Sequence, residues 1–183
     1  VRITDWPDVK FRGTVEGFYG KPWGHADRLR QIRFYGQYKM NTYIYGPKDD
    51  PFHGFSNQWR DPYPNDKAAQ IVELVRMSAL NRVNFIWAIH PGRDIRWTDL
   101  DGDGVIDDFA ACLHKFELMY QLGVRSFAVF FDDISGEQAS EAFLRLCMET
   151  VFELTTDPHT QVLYSIAGGR KTMGASLTLA AQC

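Results

Sequence analysis

The chain has 183 residues, 45% of them hydrophobic and 14% aromatic, which is typical of a globular domain with a sizeable core. Its formal net charge of -3 argues against a general nucleic-acid binder or a membrane-surface binder. No apolar run approaches the ~20 residues of a membrane span. The chain shows no signal-peptide pattern and begins with Val1, so the localisation is unknown. Widely spaced cysteines without a CxxC pattern indicate neither a disulfide framework nor a zinc site: Cys112, Cys147 and Cys183.

Strand-like and helix-like segments alternate from the start of the chain. Residues 12–17 are predicted to form a strand, His25 to Tyr38 a helix, and Thr42 to Tyr45 a second strand. The apolar residues that we expect on the buried side of this helix are Leu29, Ile32 and Phe34.

A long polar loop follows the second predicted strand. Residues 46–65 are rich in Pro, Gly, Asp and Asn, and Asp66 is predicted to cap a helix over residues 67–81. Apolar residues at helical spacing predict the buried face of this helix: Ile71, Leu74, Val75 and Leu80.

The next segments continue the alternation. Val83 to Ile89 is predicted to be the third strand, Phe109 to Leu122 a helix that ends at Gly123, and residues 126–131 the fourth strand. The fourth segment is uncharged and rich in β-branched and aromatic residues, which predicts a strand buried on both faces. The whole pattern predicts an α/β fold with a parallel sheet and right-handed crossovers.

Two adjacent aspartates, Asp132 and Asp133, follow the fourth predicted strand. Carboxylates at the end of a buried strand are costly to desolvate unless they are partnered. The C-terminal ends of barrel strands are where (β/α) enzymes place their chemistry. Asp residues also cap helices, form turns or bind metals, so the pair alone leaves catalytic and structural roles open.

Four long sequence blocks surround the predicted strand ends. They are RGTVEGFYGKPW at 12–23, KMNTYIYGPKDDP at 39–51, WAIHPG at 87–92 and FFDDISG at 130–136. In this order the blocks resemble the catalytic domain of the family 84 glycoside hydrolases, the O-GlcNAcases and related β-N-acetylglucosaminidases. The resemblance covers about residues 11–136 and implies a (β/α)8 TIM-barrel-type fold. A closed barrel usually needs ~250 residues, so about the first four to five βα units fit in this chain.

The resemblance also implies a reaction. Family members hydrolyse terminal β-linked N-acetylglucosamine with retention, and the 2-acetamido oxygen of the substrate attacks the anomeric carbon to form an oxazoline. By resemblance, Asp132 polarises the acetamido group and Asp133 is the general acid and base. Adjacent carboxylates suit this division of labour, because they cannot easily flank a sugar as the usual separated pair does. The implied substrate is an N-acetylglucosaminide on a protein or a glycan, and no cofactor is required.

The resemblance assigns binding of the sugar hydroxyls to Gly17 and Lys48. A glycine at a strand end lets the backbone approach a ligand, and an ammonium can donate to hydroxyls. From its chemistry alone, Lys48 would be interpreted as a solvated surface lysine. The surrounding family motif favours the sugar-binding role instead. Asp49 and Asp50 are expected to serve turn geometry or a salt bridge. His90 either lines the site or is a buried histidine held by the backbone.

A further acidic segment resembles part of a calcium-binding loop. Oxygen ligands fall at its positions 1, 3, 5 and 9: Asp99, Asp101, Asp103 and Asp107. Gly104 stands at position 6, but position 12 is Ala110, which lacks the usual bidentate carboxylate. A structural calcium ion and a solvated acidic loop are therefore equally supported, since Asp-Gly repeats also form plain turns.

The last part of the chain departs from the hydrolase pattern. Residues 157–174 contain SIAGGRKTM and resemble CRISPR-associated Rossmann-like proteins that sense cyclic oligoadenylates. A strand over residues 161–166, a Gly-Gly turn and a helix opened by Arg170 and Lys171 favour a phosphate. The alternative is an ordinary fifth barrel strand. We therefore predict two parts, residues 1–136 and 137–183, with a junction near residues 136–141.

Three functions remain open from the sequence. The first is an exo-acting β-N-acetylglucosaminidase, and the second is an inactive sugar-binding protein that keeps both aspartates. The third is a nucleotide- or phosphate-binding module formed by residues 161–174. A partial barrel would expose sheet edges and apolar surface, which favours self-association.

Overall fold

The computed structural model describes residues 2–54, 56–91 and 94–130. Their elements are β1 (Gly13–Glu16), α1 (His25–Gln37), β2 (Thr42–Tyr45), a 3-10 helix (Asn57–Arg60), α2 (Asn65–Leu80), β3 (Asn84–Ile89), α3 (Asp107–Gln121) and β4 (Ser126–Val129). The chain divides into two compact units. All four strands lie in the first unit, residues 1–91 and 109–130, and the described part of the second unit is residues 94–108.

The four strands form one parallel sheet in the order β1-β2-β3-β4. Each neighbouring pair is joined by a connection that contains a helix, as parallel pairing requires. Consecutive parallel strands with intervening helices are the repeating unit of a (β/α) barrel. The predicted α/β class and parallel sheet are confirmed.

The core lies between the sheet and its helices and is rich in aromatic side chains. Alternate residues of β2 and β3 point to the same face, so Tyr43, Phe85 and Trp87 pack on the helical side. Helices α1 and α2 cover them with Ile32 and Leu74, which are both buried. The sheet is therefore held from one side by a continuous apolar layer.

The predicted burial of two helix residues was wrong. Phe34 is 45% exposed and Leu80 is 69% exposed, whereas Tyr35 is fully buried. Tyr35 lies one position further along α1, a rotation of about 100°. Its hydroxyl hydrogen-bonds that of Thr14 on β1, which fixes Tyr35 rather than Phe34 toward the sheet. Leu80 is the last residue of α2 and lies beyond the contact with the sheet.

The element boundaries also differ at several points. Pro64 occupies the N-cap of α2 and Asp66 lies in its first turn, so the predicted Asp66 cap was wrong. Pro has a fixed φ that suits this position and leaves no side-chain oxygen to cap the helix. The predicted burial of the fourth strand on both faces was also wrong. Phe127 and Val129 of β4 are partly exposed, because β4 is an edge of the sheet among the described residues.

Candidate active site

The carboxyl ends of the parallel strands share one edge of the sheet. Gly17, Gly46, His90 and Phe130 directly follow β1, β2, β3 and β4. Ladder-type hydrogen bonds continue past the strands, with Gly46 N donating to Glu16 O at 3.2 Å and Phe130 N donating to Ile89 O at 2.8 Å. This edge is where the chemistry of (β/α) barrels is placed, and it carries the predicted binding residue Gly17.

The ring of Phe130 reaches across this edge toward β2. A Cβ at Gly46 would come within 2.6 Å of Phe130 Cε2 and 3.2 Å of His53 Cε1. A Cβ at Gly17 would lie 3.3 Å from Val15 Cγ1 and 3.9 Å from the Phe130 ring. Gly46 is thus needed for close packing, whereas a Cβ at Gly17 would be crowded mainly by the Val15 side chain.

The predicted sugar ligand Lys48 is half-buried just beyond β2. Its Nζ donates to the hydroxyl of Tyr19 at 3.3 Å and lies 4.4 Å from the centroid of that ring. Tyr19 belongs to the loop after β1 and is largely exposed. The structure therefore brings Lys48 to the β1–α1 loop, which begins with Gly17, although the sugar-binding role of Lys48 stays a prediction.

Asp50 anchors the loop that carries Lys48. Its Oδ2 accepts hydrogen bonds from the hydroxyls of Tyr45 and Tyr63, each at 2.7 Å, and its Oδ1 accepts from Phe52 N at 2.9 Å. Trp87 Nε1 in turn donates to Tyr63 OH at 3.2 Å. Asp50 thus serves turn geometry, as the sequence predicts, but it also links the loop to the sheet.

His53 is fully buried behind this loop, and the sequence analysis missed it. Its Nδ1 bonds to the carbonyl of Ala88, and its own carbonyl accepts from His90 N at 2.9 Å. Burial lowers the pKa of His53 to about 4, so the ring is neutral at physiological pH. His90 is also buried, which agrees with one of its two predicted roles. Nothing local in the loop sequence indicates that His53 is buried.

A buried ion pair supports the first strand end and was likewise missed. Glu16, the last residue of β1, accepts hydrogen bonds from Arg28 of α1, from Tyr43 OH and from Trp23 N at 3.1 Å. The Glu16 side chain is fully buried. The carboxylate therefore ties the loop after Gly17 to the helical layer. A charged residue inside a strand pattern was the available signal.

The acidic loop belongs to the second unit. The carboxylates of Asp99, Asp101 and Asp103 each offer an oxygen within 4.8 Å of the others, and all three residues are exposed. Asp99 also accepts backbone hydrogen bonds from Gly102 N at 2.8 Å and Gly104 N at 2.9 Å.

Asp107 is not part of this group of carboxylates. It begins α3 and accepts from Thr98 Oγ1 at 3.0 Å. The described structure thus brings together three of the four predicted ligands.

Several predictions fall outside the described residues. Asp132 and Asp133, the junction near 136–141 and the tail segment 157–174 all lie there. Among the helices of the described residues, none is long and apolar enough to cross a membrane.

The parallel order of the strands and the helices between them define a (β/α)-barrel-type fold, and comparison with known proteins identifies the family. The family model described as beta-N-acetylglucosaminidase matches residues 12–168, and the chain belongs to this family. The match crosses the predicted junction near 136–141 and includes the first part of the tail. The two-part organisation stays a prediction.

Relatives and solved structures agree with this assignment. The chain is similar to Protein O-GlcNAcase of Rattus norvegicus and of Mus musculus, each 37% identical over 122 residues, which is 67% of this chain and 12% of the relative. The solved structure of CpGH84B is 35% identical with a TM-score of 0.71, covering 93% of this chain and 31% of that one. The solved structure of CpGH84D is 36% identical with a TM-score of 0.67, covering 81% of this chain and 25% of that one.

These comparisons confirm the predicted fold class. The chain spans 12% of the length of the curated relatives it matches and at most 31% of the two solved structures. It therefore represents part of a TIM-barrel-type domain.

Proposed function

We propose that this chain carries the catalytic aspartates and part of the sugar site of an exo-acting, retaining β-N-acetylglucosaminidase. The observation that carries the proposal is the family match over residues 12–168, which includes the Asp132-Asp133 pair. The parallel sheet also presents Gly17 and the Lys48 loop at the edge where (β/α) enzymes bind substrates.

The proposed reaction is substrate-assisted. The acetamido oxygen attacks the anomeric carbon while Asp132 accepts a hydrogen bond from the acetamido N–H. The bond to the leaving oxygen breaks, and Asp133 gives that oxygen its proton. Asp133 then removes a proton from water, which attacks the anomeric carbon and opens the oxazoline with net retention. An acid role requires a raised pKa for Asp133, which a charged Asp132 beside it and a water-poor pocket would supply.

The proposed substrate is a terminal N-acetylglucosamine on a protein or a glycan. The name of the O-GlcNAcase relatives supports a protein-linked sugar. Lys48 would donate to the sugar hydroxyls, and the open backbone of Gly17 would accept from them. The mechanism uses only carboxyl groups and the acetamide of the substrate, so the proposed chemistry needs no cofactor.

Calcium binding at the acidic loop stays a structural hypothesis of its own. The proximity of Asp99, Asp101 and Asp103 agrees with it, whereas the backbone hydrogen bonds of Asp99 explain the same geometry as a turn. Isothermal titration decides between them. Heat of binding that Asp101→Asn abolishes would support an ion, and no heat at millimolar calcium would exclude it.

The hydrolase proposal is tested with 4-methylumbelliferyl N-acetyl-β-glucosaminide. We expect turnover that falls by at least ~100-fold in both Asp132→Asn and Asp133→Asn. Asp49→Asn serves as the matched control, since Asp49 is an exposed aspartate near the site. Folded protein without turnover would overturn the hydrolase proposal. N-acetylglucosamine binding in that sample would identify the inactive sugar-binding alternative.

The nucleotide-binding alternative has a separate test. An oligoadenylate that binds the chain, and whose binding is lost in Arg170→Ala or Lys171→Ala, would support a phosphate site in residues 161–174. Self-association, favoured by the open edges of the described sheet, is measured by sedimentation velocity over a range of concentrations.

A further inference from the structure

We propose that Asp50 is a positioning residue that fixes the ammonium group of Lys48 at the sugar site. The inference rests on the proposed sugar-binding role of Lys48. Asp50 is the last residue of the turn over residues 47–50, which contains Lys48. The sequence predicts only turn geometry or a salt bridge for Asp50.

The backbone of Asp50 fixes both sides of its turn. Asp50 N donates to Pro47 O at 2.9 Å, which places Lys48 in the centre of a tight turn. The carbonyl of Asp50 accepts from His53 N at 3.2 Å and from Gly54 N at 3.3 Å. Gly54 then pairs with His90, next to β3. These bonds therefore fix the backbone of the segment that carries Lys48, from the end of β2 to its pairing beside β3.

The side chain of Asp50 fixes the same turn to the sheet. Tyr45 is the last residue of β2, and its hydroxyl and that of Tyr63 both donate to Asp50 Oδ2 at 2.7 Å. Trp87 of β3 donates to Tyr63, so the network connects the turn to two strands. Hydrogen bonds to an ionised acceptor are stronger than neutral ones. A carboxylate with these partners is thus a rigid anchor.

The surroundings keep the tyrosines as donors. Burial, together with the nearby Asp50 charge, raises the pKa of Tyr45 and of Tyr63 well above the ordinary value. The buried Lys115 lies with its Nζ 4.5 Å from the centroid of the Tyr63 ring. Its positive charge interacts favourably with Asp50.

An amide cannot reproduce these contacts. Asp50 accepts on both oxygens, with the two phenols on Oδ2 and the Phe52 N–H on Oδ1. Asn offers one acceptor and one donor group, so either the phenols or the N–H would face a second donor. Asp50→Asn should therefore loosen the turn without changing its volume, and Lys48 should lose its fixed position.

A double-mutant cycle tests this coupling in the full chain. Misplacing a substrate-positioning group costs on the order of 10-fold or more, so we expect Asp50→Asn to raise KM by about 10-fold with a smaller change in kcat. Lys48→Ala should give a similar rise. The double variant should be within about 2-fold of the worse single variant, because both changes remove one function. Asp49→Asn is the matched control and should stay near wild type.

A second measurement does not depend on activity. Acetylation of lysines, followed by mass spectrometry, reports how firmly Lys48 is held, and the exposed Lys67 on α2 is the internal reference. Lys48 should be acetylated several-fold faster in Asp50→Asn than in Asp49→Asn, with Lys67 unchanged. Tyr45→Phe removes one of the two phenol donors to Asp50 and should shift Lys48 in the same direction, which provides a variant that keeps the Asp50 carboxylate should Asp50→Asn fail to fold.

Equal Lys48 acetylation in folded Asp50 and Asp49 variants would overturn the proposal, as would fully additive kinetic effects. Absence of turnover in the wild type would count against the proposed hydrolase function. The acetylation rates would still decide whether Asp50 holds Lys48.

Discussion

Arg28 of α1 donates two hydrogen bonds of 2.8 Å to Glu16, one to each carboxylate oxygen, in the interior of the first unit. The pair joins the end of β1 to α1, the helix that follows the β1–α1 loop. Glu16 directly precedes Gly17, so the ion pair fixes the point at which the chain enters the candidate site. Its loss should affect both stability and the site.

We expect Glu16→Gln to destabilise the protein by about 3 kcal/mol, because Arg28 would stay buried without its anionic partner. Thermal and urea unfolding would measure this change. The matched control is Asp27→Asn, which breaks the exposed pair between Asp27 and Arg30 and should change stability by less than ~1 kcal/mol. Similar losses in the two variants would show that the buried pair has no special role.

His53 should make the protein less stable in acid. Its pKa is about 4 in the folded state against an ordinary 6.5, so as the pH falls from 6.5 to 4 the unfolded chain takes up a proton before the folded chain does. This linkage removes up to about 3 kcal/mol of unfolding free energy across that window. Urea unfolding at several pH values should show that the unfolding free energy of His53→Gln falls less between pH 6.5 and pH 4 than that of the wild type.

The exposed His114 on α3 is the control for the histidine prediction. His114→Gln should keep the acid dependence of the wild type. If His53→Gln and His114→Gln had the same dependence on pH, the buried state of His53 would not be the cause.

Gly46→Ala tests the close packing at the strand ends. The new methyl group would meet the rings of Phe130 and His53 at 2.6 and 3.2 Å, which overpacks the site at a cost of about 1–3 kcal/mol. In a Phe130→Leu background the same substitution should cost less, because the interfering ring atom is gone. If Gly46→Ala cost the same stability in both backgrounds, the clash with the Phe130 ring would not be its cause.

The sequence predicted the strand and helix order because its apolar periods are strong and its breaks are clear. Residues 42–45 form a compact aromatic and β-branched run between Asn41 and Gly46, and β2 has these same bounds. Helix faces were less certain, since neighbouring Phe34 and Tyr35 are both aromatic. The contacts of Tyr35 with Thr14 and with the ring of Tyr43 select the buried one.

Much of the candidate site depends on contacts between distant parts of the chain. Asp50 and His53 lie in a polar loop, and their partners Tyr63 and Ala88 are 13 and 35 positions away. The hydrophobic periodicity of a local segment gives no information about such long-range contacts. The predicted roles of Gly17 and Lys48 rest on family motifs, whereas the hydrogen-bond network around Asp50 is visible only in the fold.

The most direct test of the proposed mechanism is the dependence of the Asp133→Asn variant on the leaving group. A general acid is needed most when the leaving oxygen is strongly basic. The account predicts that the wild type hydrolyses both phenyl and 2,4-dinitrophenyl N-acetyl-β-glucosaminide. The variant should lose at least ~100-fold in kcat/KM on the phenyl substrate and far less on the dinitrophenyl one. Equal losses on both substrates, or a folded wild type that hydrolyses neither, would contradict it.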